Sequence, residues 1–378
     1  MKEANYGERV WELIVQAGDL PEGPAKVATF EEAVALADLH RDVALGYNAR
    51  MEMLWPAYHA SRQDLLLVHF TWCLAQLDAD TDGDLDEHEA LWAYRWVLDT
   101  MPGFPEIPRP QIEEAIRDMA ARYGQHGASL RPCHLLHRRV YRGLGDREAA
   151  NAAHKKIART KRDWLSDDLE TEKAFAIFFA VFLEKYAEAV RLAEKFLGEK
   201  SVSNHFRGLV MTDLILPLAR LGRWEEAADF HKRSVPMLKR DRQSAGNFAM
   251  HTEYLCIVGN YASAVKTYES HFEEAATEPN RITRFDYFRA GRFLCERLRA
   301  DGKTKTNLRV PEATKIPGTE AGRIRSDLLA AWLDEQLADL VRRLDARNGT
   351  PFFAGELAKL SGLTELAEGH REHFALQE

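Results

Sequence analysis

Seven acidic residues with no Lys or Arg among them are crowded into residues 78–89, whose sequence is DADTDGDLDEHE. The whole chain has 51 Lys and Arg against 59 Asp and Glu, a net charge of −8. Outside this segment, which we call the acidic loop, 52 acids remain against the same 51 bases, so the loop carries nearly all of the excess negative charge. Carboxylates this close together repel one another unless a cation lies between them. Because hard divalent cations are bound by six to eight oxygens, the loop is a candidate cation site.

The acidic loop resembles the calcium loop of the EF-hand family. Three aspartates, a glycine, an apolar residue and a glutamate stand at the family's positions 1, 3, 5, 6, 8 and 12, here Asp78, Asp80, Asp82, Gly83, Leu85 and Glu89. The resemblance implies that Asp84 offers its backbone carbonyl, that Asp86 acts directly or through water, and that Glu89 closes the shell with both oxygens. It therefore implies Ca²⁺ as the bound ion, and we expect that ion to rigidify the turn rather than to act as a sensor that opens the helix pair.

The loop must be held between two helices. Apolar residues at helical spacing precede and follow it, which predicts helices over about Gln63 to Leu77 and Asp86 to Asp99. EF-hands usually come in pairs, and a second Asp-x-Asp-x-Asp-Gly does not occur in this chain. The alternative interpretation is an acidic, solvated connection between two helices that binds no metal.

The rest of the chain is predicted to be helical as well. Apolar residues recur every three or four positions and strict alternation is almost absent, so the chain is predicted to be all-α. Near the N-terminus this pattern predicts one helix from Tyr6 to Ala17 and another from Thr29 to about Ala60. A last long helix is predicted to begin after Ser326 as its N-cap and to stop at Asn348-Gly349.

A repeated segment joins pairs of predicted helices. The four copies are GLGDREAA, LEKYAEA, LGRWEEA and VGNYASA, and their final alanines, Ala150, Ala189, Ala227 and Ala264, are separated by 39, 38 and 37 residues. This pattern resembles the tetratricopeptide repeat (TPR), which carries Gly-x-Tyr-x-x-Ala between its two helices. A small alanine lets two helices approach closely, and stacking of such pairs supplies the core that one pair lacks.

The two resemblances together imply an all-α fold: a right-handed α-solenoid of stacked antiparallel helix hairpins with one EF-hand-like helix-loop-helix. The alternative is a generic helical bundle in which these segments are ordinary turns. The predicted organisation is N-terminal capping helices (1–62), the helix-loop-helix (63–100), TPR-like repeats (101–300), a basic loop without periodicity (301–325) and C-terminal capping helices (326–378).

The TPR resemblance also implies a partner-binding groove on the first helices of the repeats. Carrying the register over places Arg139, Arg142, Arg220 and Glu253 in that groove. Such a cationic surface would accept an acidic peptide or its carboxylate.

A separate cluster, Cys133-His134-x-x-His137, offers soft metal ligands on one helix face. No fourth ligand accompanies this cluster. The alternative is that these are ordinary histidines on a helix.

Several classes of protein are disfavoured by composition. The negative net charge argues against nucleic-acid binding, and no apolar stretch is long enough to predict a membrane span. Four single cysteines without a CxxC pair are typical of reduced thiols, so a cytoplasmic location is predicted. No catalytic motif is visible.

We therefore expect a non-enzymatic, TPR-like scaffold or adaptor that binds one calcium ion and a protein or peptide partner. The alternatives are a peptide- or metabolite-sensing regulator of a partner enzyme, and a metal-dependent hydrolase.

Overall fold

The prediction of an all-α protein built from stacked helix pairs is confirmed by the computed structural model, which describes residues 6–238 and 245–375. The predicted segments 1–62, 101–300 and 326–378 are therefore each described only in part. The helices of the first half of the chain are α1 (Tyr6–Asp19), α2 (Pro24–Leu39), α3 (Val43–His59), α4 (Gln63–Ala79), α5 (Glu87–Thr100), α6 (Arg109–Gln125), α7 (Arg131–Gly143), α8 (Arg147–Ile157) and α9 (Leu169–Phe182).

The second half continues the same pattern and adds a short hairpin of two strands. Its elements are α10 (Tyr186–Gly198), α11 (Asn204–Arg220), α12 (Trp224–Leu238), α13 (Ala245–Ile257), α14 (Tyr261–Ser270), α15 (Phe272–Thr277), α16 (Arg281–Ala300), β1 (Asn307–Arg309), β2 (Arg323–Arg325), α17 (Ser326–Asn348), α18 (Phe352–Ala358) and α19 (Leu360–Ala375). No helix among the described residues combines the length and the apolar character needed to cross a bilayer.

The chain divides into two compact units. The first comprises Met1–Val140 and Ala152–Ser166, and the second comprises Tyr141–Asn151 and Asp167–Glu378. In the first unit each helix from α1 to α5 packs on the next one along the chain. In the second unit α9, α11, α13 and α16 stack on one another, and the first three of these also pair with α10, α12 and α14.

The helix predicted from Thr29 to about Ala60 is wrong, because two helices occupy this range. The α2 helix ends at Leu39, and Arg41 adopts a left-handed backbone with φ of 55°. The α3 helix then begins after Asp42, whose carboxylate accepts the backbone N–H of Leu45 at 3.0 Å. Apolar periodicity continues across this break, so the pattern alone merged the two helices.

The four predicted repeat turns share one backbone geometry. Each begins with a left-handed residue, namely Gly145, Glu184, Gly222 and Gly259, with φ between 60° and 75°. The alanine five residues later is fully buried in every case: Ala150, Ala189, Ala227 and Ala264 are each 0 % exposed. The same three backbone hydrogen bonds close each turn, for example Gly222 N–H to the Ala219 carbonyl, Arg223 to Leu218 and Ala227 to Arg223. The sequence repeat therefore marks a structural repeat.

The same turn also joins α2 to α3, where the sequence repeat was not recognised. Arg41 holds the left-handed position, and Gly46, five residues later, takes the place of the buried alanine. Backbone hydrogen bonds from Arg41 to Asp38 and from Asp42 to Ala37 match those of the other turns. Arg41, Val43 and Gly46 stand where the pattern Gly-x-Tyr-x-x-Ala has its Gly, Tyr and Ala, so a search for that pattern does not find this turn.

The C-terminal region differs from expectation in two details. The 301–325 segment contains β1 and β2, which pair antiparallel with Leu308 opposite Ile324. The α17 helix includes Ser326 as its first residue, so the predicted N-cap is wrong, and the Ser326 hydroxyl instead donates to the Thr304 carbonyl at 3.0 Å. The predicted stop is confirmed, because Gly349 caps α17 with φ of 70°.

Candidate functional site

The acidic loop connects α4 to α5 by a tight turn. Gly83 has φ of +75° and no heavy atom within 4 Å of where a Cβ would stand, so its backbone conformation is what the turn requires. Asp80 organises the turn, because its carboxylate accepts backbone N–H groups from Gly83 at 3.1 Å and Leu85 at 2.8 Å. These hydrogen bonds lower the pKa of Asp80. The loop is thus folded around the carboxylate at the second predicted ligand position.

The end of the loop is fixed by a helix cap. Asp86 is the N-cap of α5, and its Oδ1 accepts the backbone N–H of His88 at 2.9 Å and, more weakly, that of Glu89 at 3.4 Å. Its carbonyl accepts the hydroxyl of the buried Tyr47, on α3, at 2.6 Å. The α3 helix therefore contacts the acidic loop in addition to α4 and α5, the two helices that flank the loop.

A guanidinium from outside the loop contacts its first predicted ligand. Arg122, on α6, places Nη2 2.6 Å from Asp78 Oδ1 and Nη1 3.7 Å from Glu87 Oε1. Its Nε lies 3.1 Å from Oδ2 of Asp118 one turn earlier in α6, and the hydroxyl of Tyr94, on α5, also donates to that oxygen. Burial acts to lower the pKa of Arg122, but its hydrogen bonds to Asp78 and Asp118 outweigh burial and raise it. Sequence spacing gave no signal for Arg122, which is 44 positions from Asp78.

The last predicted ligand lies in an electrostatically unfavourable place. Desolvation and the negative charges of Glu52, on α3, and Asp86 raise the pKa of Glu89. The neighbouring His88 is stacked on Trp164 with ring centroids 4.4 Å apart. Sequence reasoning missed both Glu52 and Trp164 because neither is near the loop in the chain.

The donor atoms are oxygens, the type that a hard cation binds, although they do not surround a common point. Asp82 and Asp84 are exposed, whereas Asp78 is paired with Arg122 and Asp80 with backbone N–H groups. Among residues 6–238 and 245–375, no three or more His, Cys, Asp or Glu side chains are grouped so that they could hold a metal ion. The carboxylate set and its order are those expected of a calcium loop. To enclose an ion, the side chains would have to leave these partners.

The residues predicted to line a partner groove have different environments. In the first unit Arg139 pairs with Asp99. In the second unit Arg220 is exposed, with its guanidinium beside Gly362, while Glu253 is fully buried with Oε1 3.0 Å from Arg289 Nη2. Arg142 is half-buried. Glu253 is therefore enclosed by its own chain rather than presented to a partner.

The C-terminal helices of the second unit lie along the repeat turns. Phe352, at the start of α18, covers Gly145. Lys359, which follows α18, places Nζ 2.8 Å from Oε1 of Glu184 in the next turn. Farther along, His370 packs edge-on against Trp224, with ring centroids 4.8 Å apart. Arg371 completes the series with Nη2 2.7 Å from the hydroxyl of Tyr261 in the fourth turn. These two helices therefore connect all four turns of the stack.

The Cys133, His134 and His137 cluster is enclosed in the first unit. Burial raises the pKa of the Cys133 thiol to about 12 and lowers that of the His137 imidazole to about 4. The buried Nδ1 of His134 and Nε2 of His137 make no hydrogen bond. The arrangement keeps the thiol protonated and the imidazoles neutral at pH 7. All four cysteines of the chain are buried and free.

Two buried polar features of the second unit were not predicted. His231 Nδ1 lies 2.9 Å from His251 Nδ1, and His251 Nε2 lies 3.2 Å from the hydroxyl of Thr212. Burial lowers the pKa of His251 to about 3, and the neighbouring His231 and His271 add to the shift. On α11, burial raises the pKa of Asp213 to about 6, and its Oδ2 has no hydrogen-bond partner.

The chain matches no known protein family, and no curated protein sequence matches it.

Proposed function

We propose that this protein is a calcium-binding, TPR-like interaction scaffold, with the ion held by the EF-hand-like acidic loop. The observation that carries the calcium part is the loop itself, in which carboxylates stand on both sides of a glycine turn between two helices. The ligands in this proposal are Asp78, Asp80, Asp82, Asp84, Asp86 and Glu89. Bound there, Ca²⁺ supplies the positive charge that the crowded carboxylates lack.

The residues of the loop favour calcium over softer metals. Every proposed donor is a carboxylate or carbonyl oxygen, and no Cys stands in the loop, whereas zinc sites are built mostly from Cys and His. His88, the one imidazole of the loop, is stacked on Trp164. Magnesium needs a small, regular octahedral shell, whereas calcium accepts six to eight oxygens at more varied positions, so we expect calcium to bind more tightly than magnesium.

The calcium proposal is tested by titration calorimetry and melting curves on the purified chain. Asp82→Ala is the sharpest variant, because the Asp82 carboxylate accepts only a long hydrogen bond, 3.4 Å from the Thr81 hydroxyl. The exposed Asp19, on α1, offers the matched control Asp19→Ala. Calcium at a hundredfold excess over Kd should stabilise the wild type and the control by about 2.7 kcal/mol and the Asp82 variant much less. Identical melting curves with calcium and with chelator, in all three proteins, would remove the ion from the proposal.

The scaffold part of the proposal rests on an exposed apolar face of α1. Trp11 is 49 % and Val15 62 % exposed, and both line a shallow groove along the helix. The acidic residues Glu8, Glu12 and Asp19 flank the same groove, and of these Glu12 is paired with Arg9 at 2.9 Å. An apolar stripe edged by carboxylates fits an amphipathic helix with Lys or Arg beside its apolar face, and it disfavours a second copy of the same acidic face.

The partner proposal differs in charge from the acidic peptide expected from the sequence, since Arg139 is already paired with Asp99 and the groove on α1 is edged by carboxylates. We test it with two synthetic amphipathic helices of the same apolar sequence, one with Lys and one with Glu on its polar face. The Lys peptide should bind with an affinity that falls with salt and with Trp11→Ala, while Leu169→Ala, at another exposed apolar position, serves as control. Equal binding of the two peptides would exclude recognition by this acidic face.

A further inference from the structure

We propose that Arg122 is a tethered counter-cation of the acidic loop, which neutralises the first ligand in the absence of metal and is exchanged for the ion when calcium binds. This inference rests on the proposed calcium site and concerns how that site is regulated. It assigns a regulatory role to a residue of α6, which is outside the helix-loop-helix.

The contacts of Arg122 place it where an ion's charge is needed. Its Nη2 lies 2.6 Å from Oδ1 of Asp78, the loop's first carboxylate, and its Nη1 lies 3.7 Å from Oε1 of Glu87 near the loop's end. The guanidinium thus faces carboxylates from both ends of a loop that contains seven of them. A single positive charge in this place reduces the repulsion between them.

The Arg122 side chain is fixed in this position by neighbouring residues. Its side chain is only 13 % exposed, although Asp78 is 60 % exposed. Asp118 fixes the guanidinium from one turn earlier in α6, and the Tyr94 hydroxyl of α5 fixes Asp118 in turn. The adjacent Tyr123 ties α6 to α5 by donating its hydroxyl to the Leu91 carbonyl at 2.8 Å. A side chain anchored in this way loses little entropy on pairing.

The guanidinium and a calcium ion compete for the same carboxylate. Calcium lies about 2.3 to 2.6 Å from its oxygen ligands, so an ion on Asp78 would approach the bound guanidinium within a few ångströms. Two cations so close repel each other, and the guanidinium has alternative partners in Asp118 and Glu87. Calcium binding therefore moves Arg122 away from Asp78. Because Arg122 belongs to α6, this changes the contact between α6 and the loop.

This exchange predicts that Arg122 lowers calcium affinity while stabilising the calcium-free protein. Arg122→Gln should bind calcium about tenfold more tightly than the wild type. In chelator the same variant should melt at a lower temperature, and calcium should raise its melting temperature by a larger interval than it does for the wild type. Arg117, exposed on the same helix, provides the charge-matched control Arg117→Gln, which should behave as the wild type.

A second variant separates charge from loss of structure. Arg122→Lys keeps a positive charge near Asp78 and should bind calcium with an affinity close to that of the wild type. Equal affinities for the wild type and Arg122→Gln, or a weaker affinity in Arg122→Gln, would overturn the counter-cation role while leaving the calcium site in place. Failure of every protein, including the wild type, to bind calcium would overturn the site and the exchange together.

Discussion

Phe352 lies so close to Gly145 that a Cβ added to this glycine would overlap the Cβ and Cγ of the phenylalanine. Gly145 is the left-handed residue of the first repeat turn, and Phe352 is the first residue of α18. The absence of a side chain at Gly145 therefore has two effects. It permits the left-handed backbone conformation, and it leaves space for the C-terminal helices. The corresponding Gly222 of the third turn has the same backbone conformation and no atom within 4 Å of where a Cβ would stand.

This pair of glycines allows the two effects to be measured separately. Gly222→Ala should lower the free energy of unfolding by about 1 kcal/mol, the cost of a left-handed alanine. Gly145→Ala should lower it by about 1 to 3 kcal/mol more, because the methyl group also displaces Phe352. In a Phe352→Ala background, Gly145→Ala should cost little more than Gly222→Ala does, because the ring that the methyl group would displace is gone, and denaturant titrations of the double-mutant cycle measure this. Equal losses for the two glycine variants would mean that α18 does not press on the first turn.

The buried carboxylate of Asp213 should make the protein less stable at neutral pH than its amide variant. The pKa of Asp213 is raised to about 6 by burial, so folding favours the protonated form. That contribution is complete below the ordinary aspartate pKa near 3.8 and is lost as the pH rises through 6. Asp213→Asn should therefore stabilise the fold by about 2 kcal/mol at pH 7.5 and by little at pH 4. A uniform effect at both pH values in urea titrations would contradict this assignment.

The paired histidines of α12 and α13 should produce the opposite pH dependence. The pKa of His251 is lowered to about 3, so folding favours its neutral form. This contribution is complete above the ordinary histidine pKa near 6.5 and is lost as the pH falls toward 3. His251→Gln should flatten the decrease in melting temperature between pH 7 and pH 5, whereas His205→Gln, at an exposed position, should leave it unchanged. An unaltered decrease in the His251 variant would assign the acid sensitivity to other groups.

The cap at the end of the acidic loop can be tested without any metal. In chelator, Asp86→Ala should lower the free energy of unfolding by about 1 kcal/mol, because α5 loses its N-cap hydrogen bonds. Asp86→Asn keeps an acceptor oxygen and should lose only a few tenths of a kcal/mol. Chemical denaturation of the two variants beside the wild type measures both values. If the asparagine variant loses as much as the alanine variant, the negative charge rather than the cap stabilises α5.

Local features of the fold could be read from the sequence. The helices flanking the acidic loop and the four buried repeat alanines were predicted from apolar spacing and turn residues, and the end of α17 from Asn348-Gly349. Such features depend on residues within one or two turns of each other, so a short segment contains the information. The break at Arg41 was missed because both helices beside it continue the same apolar pattern.

Contacts between distant parts of the chain were decided only by the tertiary structure. The pairing of Arg122 with Asp78, the closure of Phe352 on Gly145 and the burial of Glu253 depend on how whole helices pack. A shift of one residue in register rotates a side chain by about 100° around its helix, which changes a groove residue into a core residue. The sequence therefore determined where the carboxylates and the turns stand along the chain. Helix packing determined which side chains meet them, because those contacts depend on stacking angles that no short segment specifies.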